Sequence, residues 1–129
     1  MKLGDLLEMK EFKYRKVVTV GPNDTISTAV HKLVEYDMGA LPVCSENNEL
    51  IGIITERDIA RNCSTNDSCA NIKIRDAMSE EVAIGSPEDD VDFAIDIMKQ
   101  KRIRHLPIMH NQKIVGMISM RDLILTHMV

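Results

Sequence analysis

Two short stretches of the chain place a hydroxyl and a carboxylate three residues apart. Thr55 and Asp58 stand in "TERD", and Ser119 and Asp122 stand in "SMRD". An ionised aspartate can accept hydrogen bonds from both hydroxyls of a ribose, as the acidic residue of dinucleotide-binding folds does. These residue types at this spacing therefore suit the recognition of a sugar that carries two neighbouring hydroxyls.

A purely structural role explains the same residues. Each stretch follows an apolar run and opens a helical pattern, where Thr or Ser is a good N-cap. An acid three residues later lies favourably at the positive end of the helix dipole. Arg57 and Arg121 can pair with a phosphate, although an exposed arginine in a first helical turn is usually only solvated. Capping and binding are compatible, since a helix N-terminus also offers free N–H groups to an anion.

The two stretches belong to a longer internal repeat. "GALPVCSENNELIGIITERDI" begins at Gly39, and "RHLPIMHNQKIVGMISMRDL" begins at Arg104. Upstream, Pro22 aligns with Pro87 in the same register. The second copy is one residue shorter at the polar turn, which is where a duplicated hairpin tolerates a change of length. The chain is therefore predicted to consist of two homologous units.

Each unit is predicted to run strand, helix, strand, strand, helix, which gives an α/β (α+β) class. Short β-branched runs, "VVTV" and "EVAI", open the units. Asp24 and Asp89 are the predicted N-caps of the first helices. Apolar residues at helical spacing predict the buried faces of these two helices; they are Ile26, Val30, Leu33 and Val34 in the first, and Val91, Ala94, Ile95 and Met98 in the second.

Composition and charge exclude several classes of function. The 129 residues carry a formal charge of −4 and contain no block of basic residues, so a nucleic-acid surface is not expected. No apolar run reaches the length of a membrane span, and the amino terminus lacks the apolar core of a signal peptide. An odd number of cysteines, three, favours free thiols over a disulfide framework. We expect a cytoplasmic protein that touches neither nucleic acid nor membrane.

Three segments follow from the repeat. We predict a first domain at 1–61 with an amino-terminal lead-in, a polar linker at 62–71, and a second domain at 72–129. Within the lead-in, the charged residues 10–16 are predicted to form an exposed loop. Cys63 and Cys69 have the wrong spacing for a zinc site, and His31, His110 and His127 show no paired metal spacing. No metal site and no catalytic motif is predicted, and we do not expect an enzyme.

The repeated sequence stretches resemble those of a pair of cystathionine-β-synthase (CBS) domains, the arrangement also called a Bateman module. Besides the two long stretches, "VTVGPNDTISTAV" and "VAIGSPEDDVDFAI" match the family, and the resemblance covers roughly residues 17–125. Within this family, the chain resembles stand-alone CBS-pair proteins and the CBS insert of inosine-monophosphate dehydrogenases. The resemblance implies two units packed through their sheets about a pseudo-twofold axis. It also implies two clefts that take adenosine-containing ligands, and a homodimer formed through helices.

The same resemblance assigns residues to the two clefts. The first would be formed by Ile53, Thr55, Asp58, Val82, Ala83, Arg104 and His105, with Arg57 nearby. The second would be formed by Met117, Ser119, Asp122, Val18, Thr19, Gly39 and Ala40, with Arg121 nearby. Arg104 and His105 stand where the first unit has Gly39 and Ala40. This difference predicts that the Asp58 cleft is the main phosphate-bearing site, although a surface role for Arg104 stays open.

These expectations point to a regulatory pair that binds AMP, ADP or ATP, with no cofactor required, and that signals to an unidentified partner protein by a ligand-linked change of conformation. NAD and S-adenosylmethionine are alternative ligands. A structural dimerisation module with empty clefts is a rival of another class, because N-capping alone could retain both acids. An enzyme that acts only with a catalytic partner is a third possibility.

Overall fold

The computed structural model describes all residues, 1–129, and the chain forms two compact units. One unit is Val18–Val82, and the other joins Met1–Val17 to Ala83–Val129. The elements in chain order are α1 (Leu3–Leu7), α2 (Ile26–Glu35), β1 (Ala40–Cys44), β2 (Leu50–Thr55), α3 (Glu56–Cys63), a 3-10 turn (Cys69–Asn71), α4 (Ile74–Ala77), α5 (Val91–Lys101), β3 (His105–His110), β4 (Lys113–Ser119) and α6 (Met120–Leu125). The mixed class and the repeated order of helix, two strands and helix are confirmed.

Each unit is built on one antiparallel hairpin. Strands β1 and β2 pair with Ala40 opposite Thr55, and β3 and β4 pair with His105 opposite Ser119. Both hairpins shift register at the same place in the repeat, after Val43 in one copy and after Ile108 in the other. The polar turns between the strands permit this tight return.

The predicted opening strands are present only as single parallel bridges. Val20 bridges to Val43 in β1, and Gly85 bridges to Ile108 in β3. Each bridge uses two backbone hydrogen bonds: Val20 donates to Pro42 at 3.1 Å and accepts from Cys44 at 2.9 Å. The remaining residues of the two runs, 17–19 and 81–84, form no strand, and in the second copy the bridging residue, Gly85, follows the run "EVAI".

The long helices of the two copies bury slightly different faces. In α5 the predicted residues Val91, Ala94, Ile95 and Met98 are all buried. In α2 the buried residues are Ile26, Ala29 and Leu33, whereas Val30 is 38% and Val34 is 77% exposed. The prediction that Val30 and Val34 face the core was therefore wrong. Ala29 lies on the inner stripe because it is spaced three and four residues from its buried neighbours.

The predicted N-caps of these helices were also wrong by one residue. Helix α2 is capped by Thr25, whose Oγ1 accepts from the Thr28 amide at 3.3 Å. The Asp24 carboxylate instead accepts from the Gly21 amide at 2.8 Å, and Asp89 accepts from the Ser86 amide at 2.8 Å. Both acids therefore close the turn that precedes the helix, a local bond that Asp forms readily.

The amino-terminal lead-in packs with the second copy of the repeat. Leu3 donates to the Asp89 carbonyl at 2.8 Å, Gly4 donates to the Pro87 carbonyl at 2.9 Å, and both Leu3 and Leu6 are fully buried. An exposed ion pair joins Lys2 to Glu88 at 3.0 Å, and this hydrogen bond and charge raise the pKa of Lys2. The lead-in is thus part of the contact unit that contains residues 83–129. The boundaries at 61 and 71 follow the repeat and stay predictions.

Residues 62–71, predicted as a polar linker, contain the end of α3 and the 3-10 turn. Cys63 and Cys69 form a disulfide, with their Cα atoms 5.0 Å apart. The expectation of free thiols at these two positions was wrong. Cys63 is the last residue of α3, and the chain turns back so that Cys69 opens the 3-10 turn beside it. Cys44 is the free cysteine, and its burial raises the pKa of the thiol.

Candidate functional site

Thr55 and Asp58 form a reciprocal cap at the start of α3. Thr55 Oγ1 accepts from the Asp58 amide at 3.1 Å, and Asp58 Oδ2 accepts from the Thr55 amide at 2.9 Å. The Thr55 hydroxyl also donates to the same Oδ2 at 3.0 Å. Both of these bonds end on Oδ2, so the cap does not use the other carboxylate oxygen, Oδ1. The capping role is confirmed, and it engages only one of the two carboxylate oxygens.

Ser119 and Asp122 repeat the cap at the start of α6. Asp122 Oδ2 accepts from the Ser119 amide at 2.9 Å, and Ser119 Oγ accepts from the Asp122 amide at 3.0 Å. In this copy the second oxygen is occupied, because Asp122 Oδ1 lies 3.0 Å from an Arg15 guanidinium nitrogen. The two caps are therefore alike in backbone but differ in what their carboxylates contact.

The residues before each Leu-Pro lie beside the cap of their own unit. The Glu56 amide donates to the Gly39 carbonyl at 3.0 Å, and Ala40 pairs with Thr55. In the other unit the Met120 amide donates to the Arg104 carbonyl at 2.9 Å, while His105 pairs with Ser119. Arg104 is exposed and His105 is half-buried. The structure thus brings Gly39 and Ala40 to Asp58's cap and the Arg-His pair to Asp122's cap.

The remaining predicted residues differ in accessibility. Both backbone polar groups of Ile53 are engaged by Ser79: the Ile53 amide donates to the Ser79 carbonyl at 3.0 Å, and the Ile53 carbonyl accepts from the Ser79 amide at 2.9 Å. Val18 is 6% exposed and packs in the apolar core of its unit. The arginines that precede the two acids, Arg57 and Arg121, are exposed, and the half-buried members of the set are Thr19, Val82, Ala83 and Met117. Groupings that mix residues of the two units stay predictions.

Two basic residues near the predicted set were not singled out from the sequence. Lys32 donates to the Thr19 carbonyl at 2.7 Å, which fixes an ammonium group beside the opening segment of its unit. Arg15 belongs to residues 10–16, which were predicted to form an exposed loop. That prediction was wrong for Phe12, which is only 4% exposed. Aromatic residues among charged ones, as in "KEFKYRK", are the signal for an anchored segment, and here Phe12 is the one that is buried.

No cluster of three or more His, Cys, Asp or Glu side chains in the chain has the arrangement of a metal site. None of the helices is both long enough and apolar enough to cross a bilayer.

Comparison with known proteins places these caps and hairpins among related chains. The family model "CBS domain" matches twice, at residues 9–64 and 74–126. The CBS domain-containing protein YhcV of Bacillus subtilis is 32% identical over 120 residues, which cover 93% of this chain and 85% of YhcV. A 17.7 kDa protein of Acidianus ambivalens is 38% identical over 109 residues, 84% of this chain. The chain spans 65% of that relative.

Solved structures share the fold over nearly the whole chain. The CBS-domain containing protein ATU1752 from Agrobacterium tumefaciens superposes with a TM-score of 0.88 at 30% identity, covering 98% of this chain and 99% of its own. The CBS domain pair of protein MJ0100, solved in complex with 5′-methylthioadenosine and S-adenosyl-L-methionine, has a TM-score of 0.85 at 23% identity. That match covers 98% of this chain and 95% of the other.

Proposed function

The chain belongs to the CBS domain family, and on this premise we propose that it is a regulatory module that binds an adenosine-containing ligand. The Asp58 carboxylate accepts hydrogen bonds from the ribose hydroxyls of the ligand. The observation that carries the proposal is that the cap uses one carboxylate oxygen: Thr55 holds Oδ2, whereas the cap does not use Oδ1. Two ribose hydroxyls are donors of the kind that such an ionised oxygen takes.

The cap makes Asp58 a preorganised acceptor. Its Oδ2 is fixed by the Thr55 amide and hydroxyl at 2.9 and 3.0 Å, so the carboxylate does not need to reorient when a ligand arrives. Its main-chain carbonyl is fixed as well, because Nδ2 of the Asn62 side chain donates to it at 2.8 Å. Groups that are already ordered lose less conformational entropy on binding, which favours affinity.

An adenine nucleotide, AMP, ADP or ATP, is the proposed ligand. Arg57 is exposed in the first turn of α3, one residue before Asp58, and its guanidinium suits a phosphate. Arg104 and His105 remain the predicted source of further positive charge. S-adenosylmethionine is the second candidate, because the MJ0100 pair was solved with that ligand and with 5′-methylthioadenosine. NAD contains the same adenosine and remains a candidate on that ground.

Regulation would follow from a shift of populations. A ligand changes the conformation of a protein only by as much as its affinity differs between the two states. The proposed output is a change in docking to a partner protein, with the chain acting as a homodimer. Exposed apolar side chains on the two long helices, Val34 at 77% and Phe93 at 49%, support a dimer formed through helices.

A thermal melting series with AMP, ADP, ATP, NAD and S-adenosylmethionine tests the proposed ligand class. A ligand present at 100 times its Kd adds about 2.7 kcal/mol of stability, so the midpoint should rise with at least one of them. Asp58→Ala should melt lower without ligand, since losing a cap costs about 1 kcal/mol, and should lose the ligand-dependent rise.

Glu56→Ala is the matched control, because Glu56 is an exposed acid in the same helical turn. It should keep the full ligand-dependent rise. If none of the five compounds raises the midpoint of the wild-type chain, the proposal fails and a structural dimerisation module becomes the better account.

A further inference from the structure

The two repeated acids have different surroundings because of a segment that only one copy contains. The Leu7 side chain packs over Gly116 in one unit, and the Met78 side chain packs over Gly52 in the other. Leu7 and Met78 therefore occupy equivalent places in the two copies. The chain between Leu7 and Val20 is longer than the chain between Met78 and Gly85. The extra length holds Phe12 and Arg15, and the copy that contains Asp58 lacks both.

The extra segment is anchored so that Arg15 reaches Asp122. Phe12 is 4% exposed and belongs to the apolar core of its unit. The Arg15 amide donates to the Phe12 carbonyl at 3.0 Å, and the guanidinium lies 4.5 Å from the centroid of the Phe12 ring. Stacking of this kind holds a guanidinium in a fixed plane. From that position a nitrogen lies 3.0 Å from Asp122 Oδ1.

The ion pair engages Asp122 Oδ1, the oxygen that the cap leaves unused in both copies. The Asp122 side chain is 12% exposed, and that of Arg15 is 49% exposed. Since Oδ2 already accepts from the Ser119 amide, both oxygens of Asp122 are engaged within the protein. A ribose hydroxyl that approached this carboxylate would have to displace a charged partner.

We infer that Arg15 determines which of the two acids binds ligand, by occupying Asp122 and so restricting the adenosine ligand to Asp58. The inference rests on the proposed function, because it concerns the same ribose contact. It assigns to the lead-in a role in setting the number of ligands per chain. Removing the positive charge at Arg15 would alter that number without any change in the repeated stretches.

Calorimetric titration with AMP, ADP, ATP, NAD and S-adenosylmethionine tests the inference through stoichiometry. The wild-type chain should bind one ligand per chain, and Asp58→Ala should bind none. Arg15→Gln should bind two, and Arg15→Gln combined with Asp58→Ala should bind one. Arg15→Lys, which keeps a cation near Asp122, should remain at one.

Lys13→Gln is the matched control, since it removes one positive charge from the same exposed segment without touching Asp122, and it should also bind one. Arg15→Met repeats the test while keeping an apolar contact with Phe12, in case the Gln variant folds poorly. One ligand per chain in both Arg15→Gln and Arg15→Met would overturn the inference and leave the proposed function intact. Binding only by the variants that lack the Arg15 charge would refute the Asp58 site and, with it, the restriction of ligand to Asp58; no binding by any variant would refute both proposals.

Discussion

Replacing Leu6 by alanine is expected to lower the free energy of unfolding by about 2–5 kcal/mol, the range for a fully buried leucine. Leu6 is 0% exposed and lies in the core of the unit that contains residues 83–129, with Leu106 and Met98 in the same cluster. The cost has two parts, the lost transfer of apolar atoms from water and the cavity that remains. Against a total stability of about 5–15 kcal/mol for a domain, this is a large fraction.

Denaturant unfolding measures the effect of Leu6→Ala, and Leu125→Ala is the matched control. Leu125 is 66% exposed, and an exposed site away from special features should change stability by no more than about 0.5 kcal/mol. Equal costs for the two variants would show that the lead-in does not contribute to the core.

Gly52→Ala is expected to destabilise the chain by about 1–3 kcal/mol, the usual cost of forcing extra atoms into a packed site. A Cβ at Gly52 would lie 2.7 Å from Met78 Sδ and 2.9 Å from the Ser79 carbonyl oxygen. The methionine can rotate away, but the carbonyl cannot, because it accepts from the Ile53 amide at 3.0 Å. Relief therefore requires the backbone between α4 and Val82 to move.

Gly116→Ala is the matched variant at the equivalent position of the other copy. A Cβ there would lie 2.8 Å from Leu7 Cδ2, the end of a flexible side chain. No glycine in the chain has a positive φ, and alanine is favoured over glycine within a strand by about 0.5–1 kcal/mol. We expect Gly116→Ala to cost much less than Gly52→Ala in the same unfolding measurement. Equal costs would contradict the backbone contact at Ser79.

The sequence predicted the hairpins and the caps of α3 and α6 well because their signals are local. Leu-Pro, a polar turn, and a glycine-containing apolar run specify each hairpin, and Thr55 and Ser119 stand where a strand becomes a helix. The face of α2 was predicted incorrectly, because Ala29 and Val30 are both apolar and only packing decides which one turns inward. Asp24 and Thr25 are likewise both good N-caps. Asp24 is engaged instead by the Gly21 amide in the preceding turn, so Thr25 caps the helix.

What the sequence could not indicate depends on contacts between distant segments. The packing of Leu3 and Leu6 against the second copy joins residues far apart in the chain, and no periodicity reports it. Pairing of Cys63 with Cys69 depends on a chain reversal after α3. The contact of Arg15 with Asp122 depends on where Phe12 anchors the lead-in. The different surroundings of Asp58 and Asp122 therefore become visible only in the folded structure.

The most direct test of the central claim compares a ribose with a deoxyribose at Asp58. We would titrate the wild-type chain and Asp58→Ala with AMP and with 2′-deoxy-AMP, or with the corresponding pair for whichever nucleotide raises the melting midpoint most. A hydrogen bond to a charged group contributes about 1.5–3 kcal/mol. Since about 1.4 kcal/mol is a factor of ten in Kd, the wild-type chain should bind the deoxy form at least about tenfold more weakly. Asp58→Ala should bind both forms equally; the same preference for the ribose in both proteins would contradict the account.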